Sequence, residues 1–451
     1  MTLKRQLRIG RLNKFTLMAM VLVLLAILAT TFTPKIGSAI RLVQNFPATA
    51  CPGNLSDGAA TVALSNSKVK VRSIPSKSNT LTKAGLANYL VTKPLLVNGD
   101  PISAISVIRG KNPWLATTVC TISDADTWFV GGSAALTSKG ILDIVNSGLS
   151  ASIVDLYVFT TKGPAPLSSV TIRPNSERRI SLDSLAPGEE SLAIHAITRS
   201  GRVSTFLFDQ RRKGLRSLGA DFVSPGASPA SRVVIPAISN IVIGKGKHAT
   251  QTLRILAPGD IDATVKATVI SSDGSFRPVG LDGFSVVHGQ VNDINLAPVI
   301  SSGIYSLVLE SDQPIVAAVQ SNVVIGGTPD FSWSSSANPL SNVSMNFGGL
   351  TPTAQFTGSN ISVQISWLGA NGKSGNQTVS GSDSATWVAQ SGLLRATFTN
   401  LAPSVKNTLK TTFGSVIFQG SSGLSHLLLV PGAVLESATI PVPDAGVIAR
   451  S

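Results

Sequence analysis

Charge is scarce in this chain of 451 residues: Asp, Glu, Lys and Arg together make up 13% of it. Hydrophobic residues account for 43%, so this is not the composition of a self-repelling, disordered polymer. Cysteine (2) and histidine (4) are nearly absent. Two cysteines without nearby histidines are too few for a structural zinc site. His195 lies in an alternating run, Ser191 to Ile197, as a strand-surface residue would. His248 follows glycines that lack the GxxxxGK[ST] spacing of a phosphate-cradling loop. His288 and His426 have no metal-ligand partner three or four residues on, and no Gly-x-Ser-x-Gly elbow occurs. These absences predict a protein that is not an enzyme and that carries no cofactor. The net charge of +14 is spread without a long basic block, so nucleic acid is not an expected partner. Beyond the N-terminus, no long amphipathic helix stands out.

The positive content begins at that N-terminus. Residues 1–14 hold Lys4, Arg5, Arg8, Arg11 and Lys14 with no acid, and residues 15–34 hold no charge at all. Twenty uncharged helical residues reach roughly 30 Å, the thickness of a bilayer core. The basic excess ahead of the stretch predicts a cytoplasmic tail, a membrane-spanning signal anchor over 15–34, and an extracellular remainder. Gly37-Ser38-Ala39 offers a cleavage site that would make the protein secreted, but the apolar run is longer than a signal peptide's. Exported cysteines meet an oxidising compartment, so Cys51 and Cys120 are expected to form one disulfide.

The rest of the chain is rich in Val, Ile, Ser and Thr and punctuated by 40 Gly and 25 Pro, an all-β profile. Of the Leu-Ala-Pro tripeptides in the chain, those at Leu185, Leu296 and Leu401 stand about 100 residues apart. Each copy follows an alternating run, at Ile153–Val158, Thr264–Val269 and Ile361–Ser366, that ends in a glycine turn. The repeats predict tandem immunoglobulin- or fibronectin-like β-sandwich modules joined as a string. A short module at 41–125 holds the cysteine pair, and three fuller ones follow at 126–230, 231–341 and 342–451. Seven strands are expected in the module at 126–230.

Asp126-Thr127-Trp128-Phe129-Val130-Gly131-Gly132-Ser133-Ala134 resembles a known family. So do Leu142-Asp143-Ile144-Val145-Asn146, Ser184-Leu185-Ala186-Pro187-Gly188 and Phe208-Asp209-Gln210-Arg211-Arg212-Lys213-Gly214, together with Trp114 and Cys120. The family is a domain family of unknown function in secreted or membrane-anchored actinobacterial proteins. The resemblance is best across 110–235 and weakest in the final module. It implies an exported β-rich protein linked to the cell envelope, and it carries no catalytic residues.

Arg211, Arg212 and Lys213, with Arg216 close by, form the densest basic cluster, and guanidinium groups suit bidentate contacts to phosphate or uronate. Trp333, in a serine-rich stretch read as a linker, is the expected exposed aromatic. Asp124 and Asp126 point the same way on an extended segment, a weak cation site beside an inter-module turn. The resulting expectation is a non-enzymatic, membrane-anchored envelope scaffold with an envelope protein as partner. The alternative is an accessory protein that binds or helps assemble cell-wall glycan, with the basic cluster and Trp333 on one face.

Overall fold

In the computed structural model, described residues are 18–25, 41–44, 49–64, 69–78, 80–85, 87–98, 102–110, 114–241, 249–296, 303–401, 411–421, 423–432 and 436–439. The chain divides into two bodies, 1–46 with 435–451 and 47–434. In the smaller body, residues 18–25 are helical, and strand Arg41–Gln44 pairs antiparallel with Glu436–Thr439. No helix among the described residues is long and apolar enough to cross a membrane. Apart from 18–25, the expected span at 15–34 lies outside the described residues, as do Gly37-Ser38-Ala39 and His248.

The larger body is all-β and antiparallel, and one strand order recurs in it four times. The second repeat shows the order most fully. Its first sheet runs Asp126–Val130, Ala193–Ser200, Ser152–Thr160, with the short strands Gly163–Pro164 and Ser168–Ile172 both on Ser152–Thr160. Its second sheet runs Ser176–Ser181, Ser138–Asn146, Ser204–Lys213, Arg216–Val223. Numbered along the repeat, with the two short strands together as the fourth, the sheets read 1-6-3-4 and 5-2-7-8. Residues 49–119 and 343–428 follow the same order. The first repeat is therefore short but complete. In the third, the sixth and seventh strands fuse into Gly303–Ile325, whose first half pairs in one sheet and whose second half pairs in the other.

Side-chain alternation builds these sheets. In Ala263–Ser271, Ala263, Val265, Ala267, Val269 and Ser271 are buried while Thr264 and Lys266 face out, the period of two that a half-covered strand requires. The eighth strand of the second repeat, Arg216–Val223, was not among the seven expected; it begins inside the basic cluster, where charge hides the pattern. The Leu-Ala-Pro at Leu401 is also displaced. Leu185 and Leu296 precede the sixth strand of their repeats, but Leu401 follows the sixth strand, Leu393–Asn400, so only two copies mark the same place.

The string of self-contained modules that the repeats suggest is corrected by the cores. The core of the second repeat takes in Leu256, Val316, Phe331 and Trp333 from the third. That of the first takes in Phe206, Phe208 and Phe222 from the second. The fourth shares its core with Ile105, Leu115 and Val119 of the first. Contact thus passes around a closed circuit, and the four eighth strands, Leu115–Val119, Arg216–Val223, Thr328–Ser335 and Gly423–Leu428, pack on one another at its centre. Edge strands carry unpaired N–H and C=O groups, and burying four of them together demands other partners.

The expected disulfide is present: Cys51, in the first strand of the first repeat, is bonded to Cys120, just beyond its eighth. It ties the two sheets of that repeat across its core.

Candidate functional site

Side chains at the central axis supply the partners that the four edges lack. Asp330 accepts a hydrogen bond from the N–H of Leu424 at 2.8 Å. Its other oxygen, Oδ1, is buried without a hydrogen-bond partner. Asp221 accepts from the N–H of Trp333 (2.9 Å) and from Ser425 Oγ (2.7 Å). Ser425 Oγ in turn accepts from the N–H of Thr117 at 3.0 Å and lies 2.8 Å from Thr117 Oγ1. With its own proton on Asp221, Ser425 receives the proton of Thr117 as well. All four repeats are thereby joined in a few bonds. Burial pushes both carboxyls well above the usual range, and the hydrogen bonds to each pull the other way. Gly219 and Gly423, at φ 111° and 129°, permit the approach, because a Cβ on the first would collide with Asp330 and on the second with the backbone of Leu115.

A second polar joint holds the second and third repeats together. Arg254 is 3% exposed, and its guanidinium forks onto Asp293 with two bonds of 2.8 Å. It also donates to the carbonyl of Gly132 (2.7 Å) and to Ser191 Oγ (2.8 Å). Burial raises the Asp293 carboxyl, but the bonds and charge of Arg254 win and leave it below its ordinary value.

Trp333 belongs to this joint, which corrects its reading as an exposed aromatic: it is 1% exposed, within strand Thr328–Ser335. Its Nε1 donates to Asp209 Oδ2 at 3.1 Å, and the guanidinium carbons of Arg254 and Arg211 stand 5.0 and 5.9 Å from its ring centre. The serines that suggested a linker are buried around it, Ser335 donating to the carbonyl of Ser224 at 2.7 Å. Small hydroxyl side chains suit a tightly packed strand as well as a flexible one.

The basic cluster is divided by the same arrangement. Arg211 turns inward to Asp209 (3.2 Å) and Gln320 (3.3 Å). Arg212 reaches Asp57 at 3.6 Å, while Lys213 and Arg216 stand exposed at a hairpin tip. Arg211 and Trp333 are thus neighbours inside the protein rather than on one outer face.

Three histidines are described. His195 stacks on Trp128 with ring centres 3.9 Å apart and bonds to Asp126 at 2.8 Å. His288 bonds to Asp262 at 2.6 Å. His426 is buried and donates from Nε2 to the carbonyl of Pro236 at 3.1 Å, and burial lowers its pKa to about 4. The Asp124 side chain accepts one local bond, from the N–H of Asp126, and no group of metal-ligating side chains occurs among the described residues. Sequence reasoning missed Asp221, Asp330, Arg254 and Asp293. Their only signal was the placing of charge inside apolar runs, as in Ala220-Asp221-Phe222 and Leu253-Arg254-Ile255.

The stretch Asp126 to Ala134 now has a structural role. Gly132 supplies the carbonyl that holds Arg254, and a Cβ at Gly131 would press on Val223 and Trp333. A protein-family model described as a family of unknown function, DUF5719, matches residues 103–388, well over half the chain. The chain belongs to that family. No curated protein matches it. Among solved structures it is similar to one described as the crystal structure of Thermotoga maritima 1070. That likeness has 16% identity and a TM-score of 0.21, covering 25% of this chain and 93% of the other.

Proposed function

We propose that this DUF5719 protein is a non-enzymatic, membrane-anchored envelope scaffold. The observation that carries the reading is the central axis, where Asp221, Asp330, Ser425 and Thr117 spend their hydrogen bonds on joining four repeats. A body cross-linked in this way holds its outer loops at fixed separations, which suits the organisation of partners. The basic N-terminal tail and the uncharged stretch at 15–34 favour an anchor with the β body outside the cell. Met18, Met20, Leu22 and Leu24 present exposed apolar side chains on the helical residues 18–25.

Each repeat, in this reading, is a variant of the immunoglobulin-like sandwich. The second strand pairs with the fifth and the third with the sixth, as the B–E and C–F pairs do in that fold. The first and seventh strands take each other's usual edge places.

A glycan-binding role rests on a different face from the one the sequence suggested. Tyr157, His195 and Phe159, all half-buried, lie with Trp128 on the outer side of one sheet beside the exposed Asp126, an aromatic and acidic surface. In-membrane crosslinking of the full chain followed by mass spectrometry separates the readings. Crosslinks concentrated on one envelope protein support the scaffold. Retention on purified cell-wall polymer without a protein partner supports the glycan reading and overturns the scaffold.

A further inference from the structure

A cavity of about 220 Å³ opens where the first, second and fourth repeats meet, beyond one end of the central strands. It is smaller than the sites of drug-sized ligands, which start near ~300 Å³. Its walls are largely apolar, from Val119, Pro225, Leu428 and Val430, and Thr127 and Thr205 line it as well. Ile122, 46% exposed, extends the apolar surface to the solvent. The one charged residue of the lining is Asp124, on the exposed segment that leads into strand Asp126–Val130.

The lack of an ion-pair partner at that residue decides what the cavity suits. None of the ion pairs among the described residues includes Asp124, whereas its neighbour Asp126 is engaged by His195. The one hydrogen bond of its side chain, from the N–H of Asp126, is long at 3.3 Å and leaves acceptor capacity free. An apolar hollow of this size with a single uncompensated carboxylate in its lining is complementary to an aliphatic chain that ends in a cation. The methylenes gain by leaving water, and the charge is met where solvent still reaches it, so no isolated ion is buried. An anion would face the carboxylate, and a neutral alcohol would leave it unused.

We propose that this cavity binds a small free alkylammonium ion, with its ammonium on Asp124. The site lies apart from the axial joint and does not depend on the scaffold reading.

The test uses the full chain in lipid nanodiscs, titrated calorimetrically with n-pentylammonium and separately with 1-pentanol. The ammonium is expected to bind about tenfold more tightly than the alcohol, the ratio that one charge-assisted hydrogen bond supplies. Asp124→Asn, at an exposed position that leaves folding intact, is expected to remove that difference. Val430→Trp, which fills the cavity from its rim, is expected to abolish binding of both probes while thermal melting confirms the fold. Equal affinity for the two probes, a preference that survives Asp124→Asn, or no binding of either probe to the unmodified protein overturns the proposal.

Discussion

Asp330, in the third repeat, accepts a hydrogen bond of 2.8 Å from the backbone N–H of Leu424 in the fourth, 94 residues further along the chain. A carboxylate here does what a neighbouring strand does elsewhere: it satisfies an amide of a buried edge. Loss of this side chain leaves the buried N–H of Leu424 without its acceptor. Asp330→Ala is therefore expected to destabilise the protein by about 2–4 kcal/mol, measured by chemical denaturation. A change within experimental error contradicts the role given to Asp330.

The joint at Arg254 gives a sharper contrast. Truncating one partner of a buried, bidentate pair leaves the other charge uncompensated, so Arg254→Ala is expected to cost about 3–5 kcal/mol. Arg212→Ala, which removes only an exposed pair with Asp57, is expected to leave thermal melting unchanged. Similar losses for the two variants count against the buried joint.

Asp143 makes stability depend on pH. It lies in strand Ser138–Asn146 on the face that carries Ile141 and Val145 towards the first repeat, and neither of its oxygens has a hydrogen-bond partner. Burial pushes its carboxyl up to about 7, with Glu177 adding and Arg179 opposing. The folded state then holds a proton that the unfolded chain releases near pH 4, so stability falls as pH rises from about 4 through about 7. The full effect is about 4 kcal/mol. Asp143→Asn, which cannot ionise, is expected to gain on the unmodified protein by that amount between pH 4 and 8 in denaturation midpoints. A constant difference across that range contradicts this assignment.

Gly219 tests how tightly the axis is closed. Any Cβ at this position meets Asp330, and its φ of 111° disfavours other residues. Gly219→Ala is expected to lower the melting temperature by several degrees, whereas Gly214→Ala, at a hairpin tip where a Cβ meets nothing, is expected to lower it much less.

The fold class was legible because burial on one face of a strand enforces alternation, as in Ala263–Ser271 and Ile361–Gly369. The disulfide was legible from an even cysteine count in a segment expected to be exported. The fusion of the repeats was not, since nothing local in Leu115–Val119 or Gly423–Leu428 tells which surface buries it. Trp333 shows the limit well: serine-rich flanks look like a linker until the strands that cover them are known. The same holds for the pairing of Arg254 with Asp293 and Gly132. A sequence displays the charge of such residues but not the partner that neutralises it.

That the four repeats behave as one body is tested most directly by hydrogen exchange of the full chain at increasing denaturant, read residue by residue. The account predicts that the amides of Thr117, Trp333 and Leu424, drawn from three repeats and held at one axis, exchange through a single shared opening with the same free energy. Separate openings, with each repeat losing protection at its own denaturant concentration, contradict it.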